Sequence, residues 1–294
     1  MNSMQPTFTT IREARRWASL FLQKQQREPR VADLLLEHFL SWSPSQLLAF
    51  DDKPMPADVG RDFVRAVRKH ADTGVPVQHL TGVGHFYGRE FHVNEDVLIP
   101  RPETEELVLG VVNYVREKNL NASKIIDLGT GSGVIAITLA AELTGSDVTG
   151  VDLSRQALEI AEKNATQHGV TIRFHQGNFL ESLLAEPFDI IISNPPYIAY
   201  SEKDQMDDTV VDFDPAMALF AEDEGLAAYK TILSQISHMK RKPKCIAFEI
   251  GHQQGGSVST LIHALLPEFH TEVRQDINGK DRMVFAFFGE EMED

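Results

Sequence analysis

From residue 103 onward the chain alternates short apolar runs with helical stretches, and this restricts the fold more than any other feature. The runs at 124–128, 147–152, 171–175, 188–193, 244–250, 271–277 and 283–288 have the length of buried strands. Helical periodicity fills 107–116, 133–143, 155–168, 226–239 and 258–265 between most of them. Such alternation gives a largely parallel sheet with helices on both faces, so the expected class is α/β with a doubly wound, Rossmann-like sheet. The last two runs are joined only by Asn278-Gly279-Lys280-Asp281, a hairpin signal, which makes the final strand antiparallel.

Residues 1–76 read differently. Thr10 and Glu13 fit a capping box ahead of the apolar stripe Ile11, Ala14, Ala18, Phe21 and Leu22. A second stripe carries Val31, Leu34, Leu35, His38 and Phe39. Ser43-Pro44-Ser45-Gln46 combines an N-cap, a first-turn proline and a capping-box glutamine. A fourth helix presents Val59, Phe63, Ala66, Val67 and His70, and stops at Gly74 and Pro76. Short helices with one apolar stripe each must pack on one another, so a small bundle is expected. Between 77 and 102, Phe86, Phe91 and Val93 around Gly88-Arg89 predict a β-hairpin linker. The expected organisation is a helical domain over 1–76, the linker over 77–102 and the α/β domain over 103–294.

A net charge of −15 works against tight nonspecific binding to a phosphate backbone. The arginines and lysine Arg12, Arg15, Arg16, Lys24, Arg27 and Arg30 gather at the N-terminal end, as a solvated helix face or as a binding surface. Cys245 is the single cysteine, so no intrachain disulfide framework exists. No apolar run approaches the length of a membrane span, and no secretory signal pattern is present. The expected location is the cytoplasm. No cluster of His, Cys and Asp has metal-ligand spacing, so no metal site is expected.

Chemistry concentrates where strands end. The first strand of the α/β domain runs into Gly129-Thr130-Gly131-Ser132-Gly133 and then a helix. Alternate glycines let a ligand approach the backbone at a helix N-terminus. Asp152 follows roughly 20 residues on, at the end of the next strand, where a carboxylate can accept hydrogen bonds from ribose hydroxyls. These features predict a nucleoside-containing cofactor without choosing one; Gly131-x-Gly133-x-x-Ala136 also satisfies the dinucleotide fingerprint of nicotinamide enzymes. Phe179, after the third strand, flanks the same crevice as a candidate neighbour of an adenine ring. Asn194-Pro195-Pro196-Tyr197 follows the fourth strand, and its prolines fix the backbone and hold an amide and an aromatic ring in place. That arrangement suits a planar amide or an amino-purine edge, which hydride transfer does not need and N-methylation does.

With these residues in hand, the chain resembles the class I S-adenosylmethionine-dependent methyltransferases, specifically the HemK/PrmC family of protein-(glutamine-N5) methyltransferases. The resemblance extends to Phe86-Tyr87-Gly88, the stretch 97–105, Phe248-Glu249-Ile250-Gly251-His252-Gln253 and the closing Asp276-Ile277-Asn278-Gly279-Lys280-Asp281-Arg282. It implies a seven-stranded sheet, an N-terminal helical substrate-recognition domain and S-adenosyl-L-methionine as cofactor. The implied reaction is methyl transfer to the glutamine N5 of the Gly-Gly-Gln motif in class I peptide chain release factors. Carried over by residue, Gly129, Thr130, Gly131, Ser132 and Gly133 would line the methionine and ribose portions of the cofactor. Asp152 would hold the ribose hydroxyls and Phe179 would border the adenine. Asn194 would orient the accepting amide beside the cofactor, with Pro195, Pro196 and Tyr197 completing the acceptor pocket. Arg101 and Glu249 could equally line the crevice or serve the fold.

The sequence departs from the family pattern at Asn178, where many relatives carry an acidic residue, and over 220–225, which is less glycine-rich than usual. Two other functions use the same parts. An adenine-N6 nucleic-acid methyltransferase would present the same clamp to a flipped base. A non-catalytic S-adenosylmethionine-binding adaptor would engage a translation factor through the helical domain. The expected partner is a release factor as protein substrate, with no stable nucleic-acid complex, no membrane and a monomeric chain.

Overall fold

The computed structural model describes residues 6–205 and 208–289, and the chain divides into two compact units, Met1–Gly82 and Val83–Asp294. In the first, α1 (Ile11–Lys24), α2 (Val31–Leu40), α3 (Pro44–Ala49), α4 (Ala57–Thr73) and α5 (Val77–Thr81) surround one apolar core. That core holds Ala14, Ala18, Leu22, Leu35, Leu36, Phe63 and Val67, the stripes expected from the periodicity plus Leu36. The caps follow the sequence. Ser43 and Gln46 form the full capping box at α3, with Pro44 in the first turn. Thr10 accepts from the Glu13 amide, while the Glu13 carboxylate reaches back to the Thr9 amide at 2.7 Å. Gly74 ends α4 in the left-handed region at φ 77°.

In this unit Arg12 pairs with Asp51 at 2.6 Å and Arg15 with Asp33 at 2.7 Å. These four residues, with Arg16 and Arg30, line an open cleft of about 350 Å³.

The second unit opens with a hairpin, β1 (Val83–Phe86) and β2 (Arg89–His92), turned by Tyr87 and Gly88 at φ 51° and 72°. Phe86 and Phe91 are buried in the same apolar cluster as Leu107, Val108 and Val111 of α6 (Pro102–Glu117). The hairpin is thus cored into the α/β unit. The elements that follow are β3 (Lys124–Leu128), α7 (Val134–Glu142), β4 (Asp147–Asp152), α8 (Arg155–His168), β5 (Arg173–Gln176) and β6 (Ile190–Ser193). An irregular stretch comes next, with β7 (Ile198–Ala199), a 3₁₀ turn at Tyr200–Gln205, α9 (Asp208–Phe213), α10 (Ala216–Leu219), β8 (Phe220–Ala221) and the single turn α11 (Glu222–Gly225). The unit closes with α12 (Ala227–His238), β9 (Cys245–Glu249), α13 (Gly255–Leu265), β10 (Phe269–Gln275) and β11 (Asp281–Phe288).

Seven strands form one sheet in the order β10-β11-β9-β6-β3-β4-β5. Its interior strands are apolar because both faces are covered. On one face lie Val108, Val112, Ile135 and Leu139 of α6 and α7; on the other lie Tyr229, Ile232, Val258 and Ile262 of α12 and α13. β11 is antiparallel to both β9 and β10, as the Asn-Gly turn requires, and the remaining pairings are parallel. β10 begins at Phe269, two residues earlier than its apolar pattern suggests, because its register runs to Phe288 at the far end of β11. Strand order reverses between β3 and β6, and this is where an open α/β sheet leaves a crevice at its carboxyl edge.

Candidate active site

Three segments meet at that edge. After β3 the chain turns through Gly129, Gly131 and Gly133 at φ 74°, 55° and 83°, conformations that side chains adopt only at a cost. Gly129 and Gly131 face open space: a Cβ on either would meet nothing within 4 Å, and both line a cavity of about 410 Å³. Gly133 faces inward, where a Cβ would stand 2.9 Å from Ile137 Cδ1 and 3.1 Å from Ala161 Cβ. It lets α7 pack against α8. Thr130 and Ser132 are buried and do not line the cavity. The Thr130 hydroxyl donates to Asp127 Oδ2 at 2.6 Å, and the Ala136 amide donates to the same oxygen at 3.2 Å. Asp127 is fully buried, Oδ1 has no hydrogen-bond partner among the described residues, and burial pushes the carboxyl up to about 7.

Asp152 stands at the end of β4. Its Oδ2 accepts from the Gly131 amide at 2.8 Å and its Oδ1 from the Ser154 amide at 2.9 Å, so one carboxylate sets both the glycine loop and the start of α8. Burial raises its pKa against the pull of those amides. Across the cavity Phe179 is half-buried at φ 54°, and Asn178 precedes it at the lining. Gln235 holds this turn from α12: its side chain accepts from the Leu180 amide at 2.7 Å and donates to the Asn178 carbonyl at 3.1 Å. The cradle fits a nucleoside-bearing ligand: bare backbone at two glycines, a fixed carboxylate and an aromatic ring on one cavity.

Asn194 follows β6 and lines this cavity together with Pro196. It also lines a second cavity of about 220 Å³, with Arg101, Tyr197, Leu219 and Glu249. Asn194 is therefore the polar side chain common to both. Leu98 and Ala218 are shared as well, so the junction is otherwise apolar. Pro195 is buried and lines neither cavity with its ring.

Behind the amide runs a short polar chain. Asn194 Nδ2 donates to Thr104 Oγ1 at 3.1 Å, and Thr104 Oγ1 donates to Glu249 Oε2 at 2.6 Å. The Tyr197 hydroxyl donates to Glu249 Oε1 at 3.4 Å, and the Tyr229 hydroxyl to the Glu249 carbonyl at 2.7 Å. Thr104 and Glu249 are 3% and 2% exposed, and burial pushes Glu249 up to about 7 despite those hydrogen bonds and the nearby Arg282. Burial likewise raises Tyr197 and Tyr229.

Sequence reasoning singled out the glycines, Asp152, Phe179 and the clamp, and left Glu249 and Arg101 undecided. It passed over Thr104, which contacts Asn194 from 90 residues away. It also passed over Asp214, whose carboxylate accepts from Arg101 Nη2 at 2.7 Å and from the Ile99 amide at 3.3 Å. A threonine in the first turn of a helix carries no local sign of such a contact. Among the described residues no helix is long and apolar enough to cross a membrane.

Comparison with known proteins covers both units. The PrmC N-terminal domain model matches residues 13–82, and the Methyltransferase small domain model matches residues 111–213. The release factor glutamine methyltransferase of Bacillus subtilis (strain 168) is 42% identical over 281 residues, 94% of this chain and 97% of that one. The protein of the same name from Enterococcus faecalis (strain ATCC 700802 / V583) is 36% identical over 274 residues, 93% and 98% of the two chains. Among solved structures, the hMettl16 catalytic domain in complex with a MAT2A 3'UTR hairpin superposes with a TM-score of 0.56, at 16% identity and over 90% of this chain and 93% of that one. That likeness speaks for the fold alone.

Proposed function

The chain belongs to the release factor glutamine methyltransferase family, and on that premise we propose how its carboxyl-edge cavities divide the work. The activity is S-adenosylmethionine-dependent methylation of a release factor glutamine. We assign the acceptor more finely to the side-chain amide N5 in the Gly-Gly-Gln motif of class I peptide chain release factors. The observation that carries this reading is the place of Asn194, the polar side chain that lines both the 410 Å³ and the 220 Å³ cavities.

The larger cavity takes the cofactor. Gly129 and Gly131 offer bare backbone to its methionine and ribose portions, Asp152 takes the ribose hydroxyls, and Phe179 borders the adenine. S-adenosylmethionine supplies a methyl group on a sulfonium, already activated for displacement. The smaller cavity takes the glutamine side chain between Tyr197, Leu219 and Asn194. An amide nitrogen is a poor nucleophile because its lone pair is delocalised into the carbonyl. Asn194 Oδ1 and the Pro195 backbone carbonyl accept the substrate N–H bonds, which turns the nitrogen toward the junction and stabilises positive charge developing on it. Tyr197 packs against the amide plane. Pro195 and Pro196 keep these acceptors fixed, so little reorganisation is needed on binding.

We further propose a cytoplasmic location, a monomeric chain and no stable nucleic-acid complex, in keeping with the net charge of −15. The test is methyl transfer from labelled S-adenosylmethionine to a purified class I release factor, beside its Gly-Gly-Gln to Gly-Gly-Ala variant and duplex DNA. Label on the unaltered factor alone is expected. Label on the alanine variant or on DNA would overturn the acceptor assignment.

A further inference from the structure

The two ends of an asparagine amide are nearly the same size, so shape alone cannot decide which of them faces the acceptor cavity. Hydrogen-bond chemistry decides it here. A threonine hydroxyl has one proton and two lone pairs. Glu249 Oε2, 2.6 Å from Thr104 Oγ1, takes that proton. Oγ1 then offers only lone pairs on its other side, and the end of Asn194 that satisfies it is Nδ2, at 3.1 Å. The reversed amide would set two oxygens against each other in a site where Thr104 is 3% exposed and water gives little relief. Oδ1 is left facing the cavities, with no hydrogen-bond partner among the described residues.

We infer that Thr104 is a positioning residue of the methyl-transfer site, which with Glu249 as its anchor holds the Asn194 amide oxygen-first toward the acceptor. This rests on Asn194 Oδ1 being the group that accepts the substrate amide hydrogen. Thr104 touches neither cavity and acts only through Asn194.

The anchor is itself held from several elements. Tyr197 donates to Oε1 from the clamp, Tyr229 of α12 fixes the backbone carbonyl, and Arg282 of β11 brings positive charge while bonded to Asp276. Glu103 of α6 adds opposing negative charge, and Arg101 lines the cavity that Glu249 also lines. Only the ionised carboxylate forces the order of donors. A protonated Oε2 can donate to Thr104, whose own proton is then free to go to Asn194 Oδ1, so that Thr104 no longer selects the Nδ2 end of the amide. Activity should therefore fall on the acid side of neutrality, since Glu249 titrates at about 7.

The experiment uses the full chain, labelled S-adenosylmethionine and a purified class I release factor. Thr104→Val, Thr104→Ser, Glu249→Gln and Asn194→Ala are compared on both sides of neutrality, with cofactor affinity measured by calorimetry. Thr104→Val should lower kcat about tenfold, the effect of one lost orienting hydrogen bond on a barrier. Its KM for the release factor and Kd for S-adenosylmethionine should stay within twofold of the parent. Thr104→Ser should restore kcat. The acid-side fall in kcat should be present in the parent and in Thr104→Ser, and absent from Thr104→Val and Glu249→Gln.

Parental kcat in Thr104→Val beside an inactive Asn194→Ala would reject the positioning role and leave Asn194's own role standing. Full activity in Asn194→Ala would overturn the reading of the site beneath it. If Thr104→Val does not fold, Glu249→Gln decides, because it keeps an acceptor for the Thr104 hydroxyl but cannot be protonated near neutrality. Its retaining the acid-side fall would overturn the inference.

Discussion

Arg101 Nη2 lies 2.7 Å from Asp214 Oδ2 and ties two stretches of chain, 113 residues apart in sequence, beside the 220 Å³ cavity that Arg101 lines. The pairing is unequal: the Asp214 side chain is 2% exposed and that of Arg101 is 39% exposed. Removing the arginine strands a buried carboxylate with the Ile99 amide, at 3.3 Å, as its remaining donor among the described residues. Arg101→Ala should cost about 1–3 kcal/mol of unfolding free energy in urea titration. Adding Asp214→Asn, which keeps the shape and removes the charge, should return part of that loss. A double variant no more stable than Arg101→Ala alone would show that the stranded charge is not the cause.

The glycines after β3 make opposite predictions within two residues. Gly131 has open space where a Cβ would stand and lines the 410 Å³ cavity proposed for the cofactor, so Gly131→Ala should cost only about 1 kcal/mol for its left-handed backbone. The methyl would project into the cavity, and S-adenosylmethionine affinity should drop about tenfold or more. A Cβ at Gly133 meets Ile137 Cδ1 at 2.9 Å and the Ala161 backbone at 3.3 Å. Gly133→Ala should lose about 2–4 kcal/mol by overpacking and strain. Thermal melts and calorimetry on the two variants separate the roles; equal effects of both on both readouts would contradict the assignment.

Asn194→Ala removes the acceptor from the junction of the two cavities and, by analogy with the loss of one preorganised polar contact, should reduce kcat about 100-fold. The side chain is only half-buried and its Thr104 partner retains Glu249, so the melting temperature should change little. Asn194→Asp keeps an oxygen toward the acceptor but takes away the donor to Thr104, setting a charge against that hydroxyl. It should fall between the parent and Asn194→Ala in single-turnover methyl transfer. A rate for Asn194→Ala within a few-fold of the parent would remove Asn194 from the chemistry.

These variants also mark how far the sequence alone could go. The sheet was legible because buried parallel strands are continuous apolar runs and the Asn278-Gly279 turn imposes reversal on β11. Gly129, Gly131, Asp152, Phe179 and Asn194 were legible because they lie at strand ends, where a sheet of this kind leaves its crevice. What could not be read was direction. Gly133 shares the spacing of Gly129 and Gly131 yet faces α8, since each step along the turn rotates the backbone. Thr104 meets Asn194 from 90 residues away and Asp214 meets Arg101 from 113 residues away, and such contacts leave no local periodicity. The bounds of β5 and β10 shifted by about two residues because pairing with β4 and β11, and not the apolar pattern, ends a strand.

Asp127 allows a test that needs no substrate. Its carboxyl is fully buried beneath the glycine loop, and burial moves it from an ordinary value of 3.8 to about 7. Below 3.8 both folded and unfolded chains hold the proton. Between that value and about 7 the unfolded chain releases it while the folded chain keeps it. The unfolded state then binds fewer protons, so this group's contribution to stability declines as pH rises through that window and levels off above it. Asp127→Asn keeps an oxygen for Thr130 and Ala136 and has nothing to titrate. The stability advantage of the parent over Asp127→Asn should therefore shrink as pH rises across the window, by on the order of a few kcal/mol. Glu249 titrates in the same range in both proteins and cancels in the difference. Urea titrations at the two ends of the window measure it, and a difference that does not change with pH would mean that Asp127 carries its charge in the folded protein.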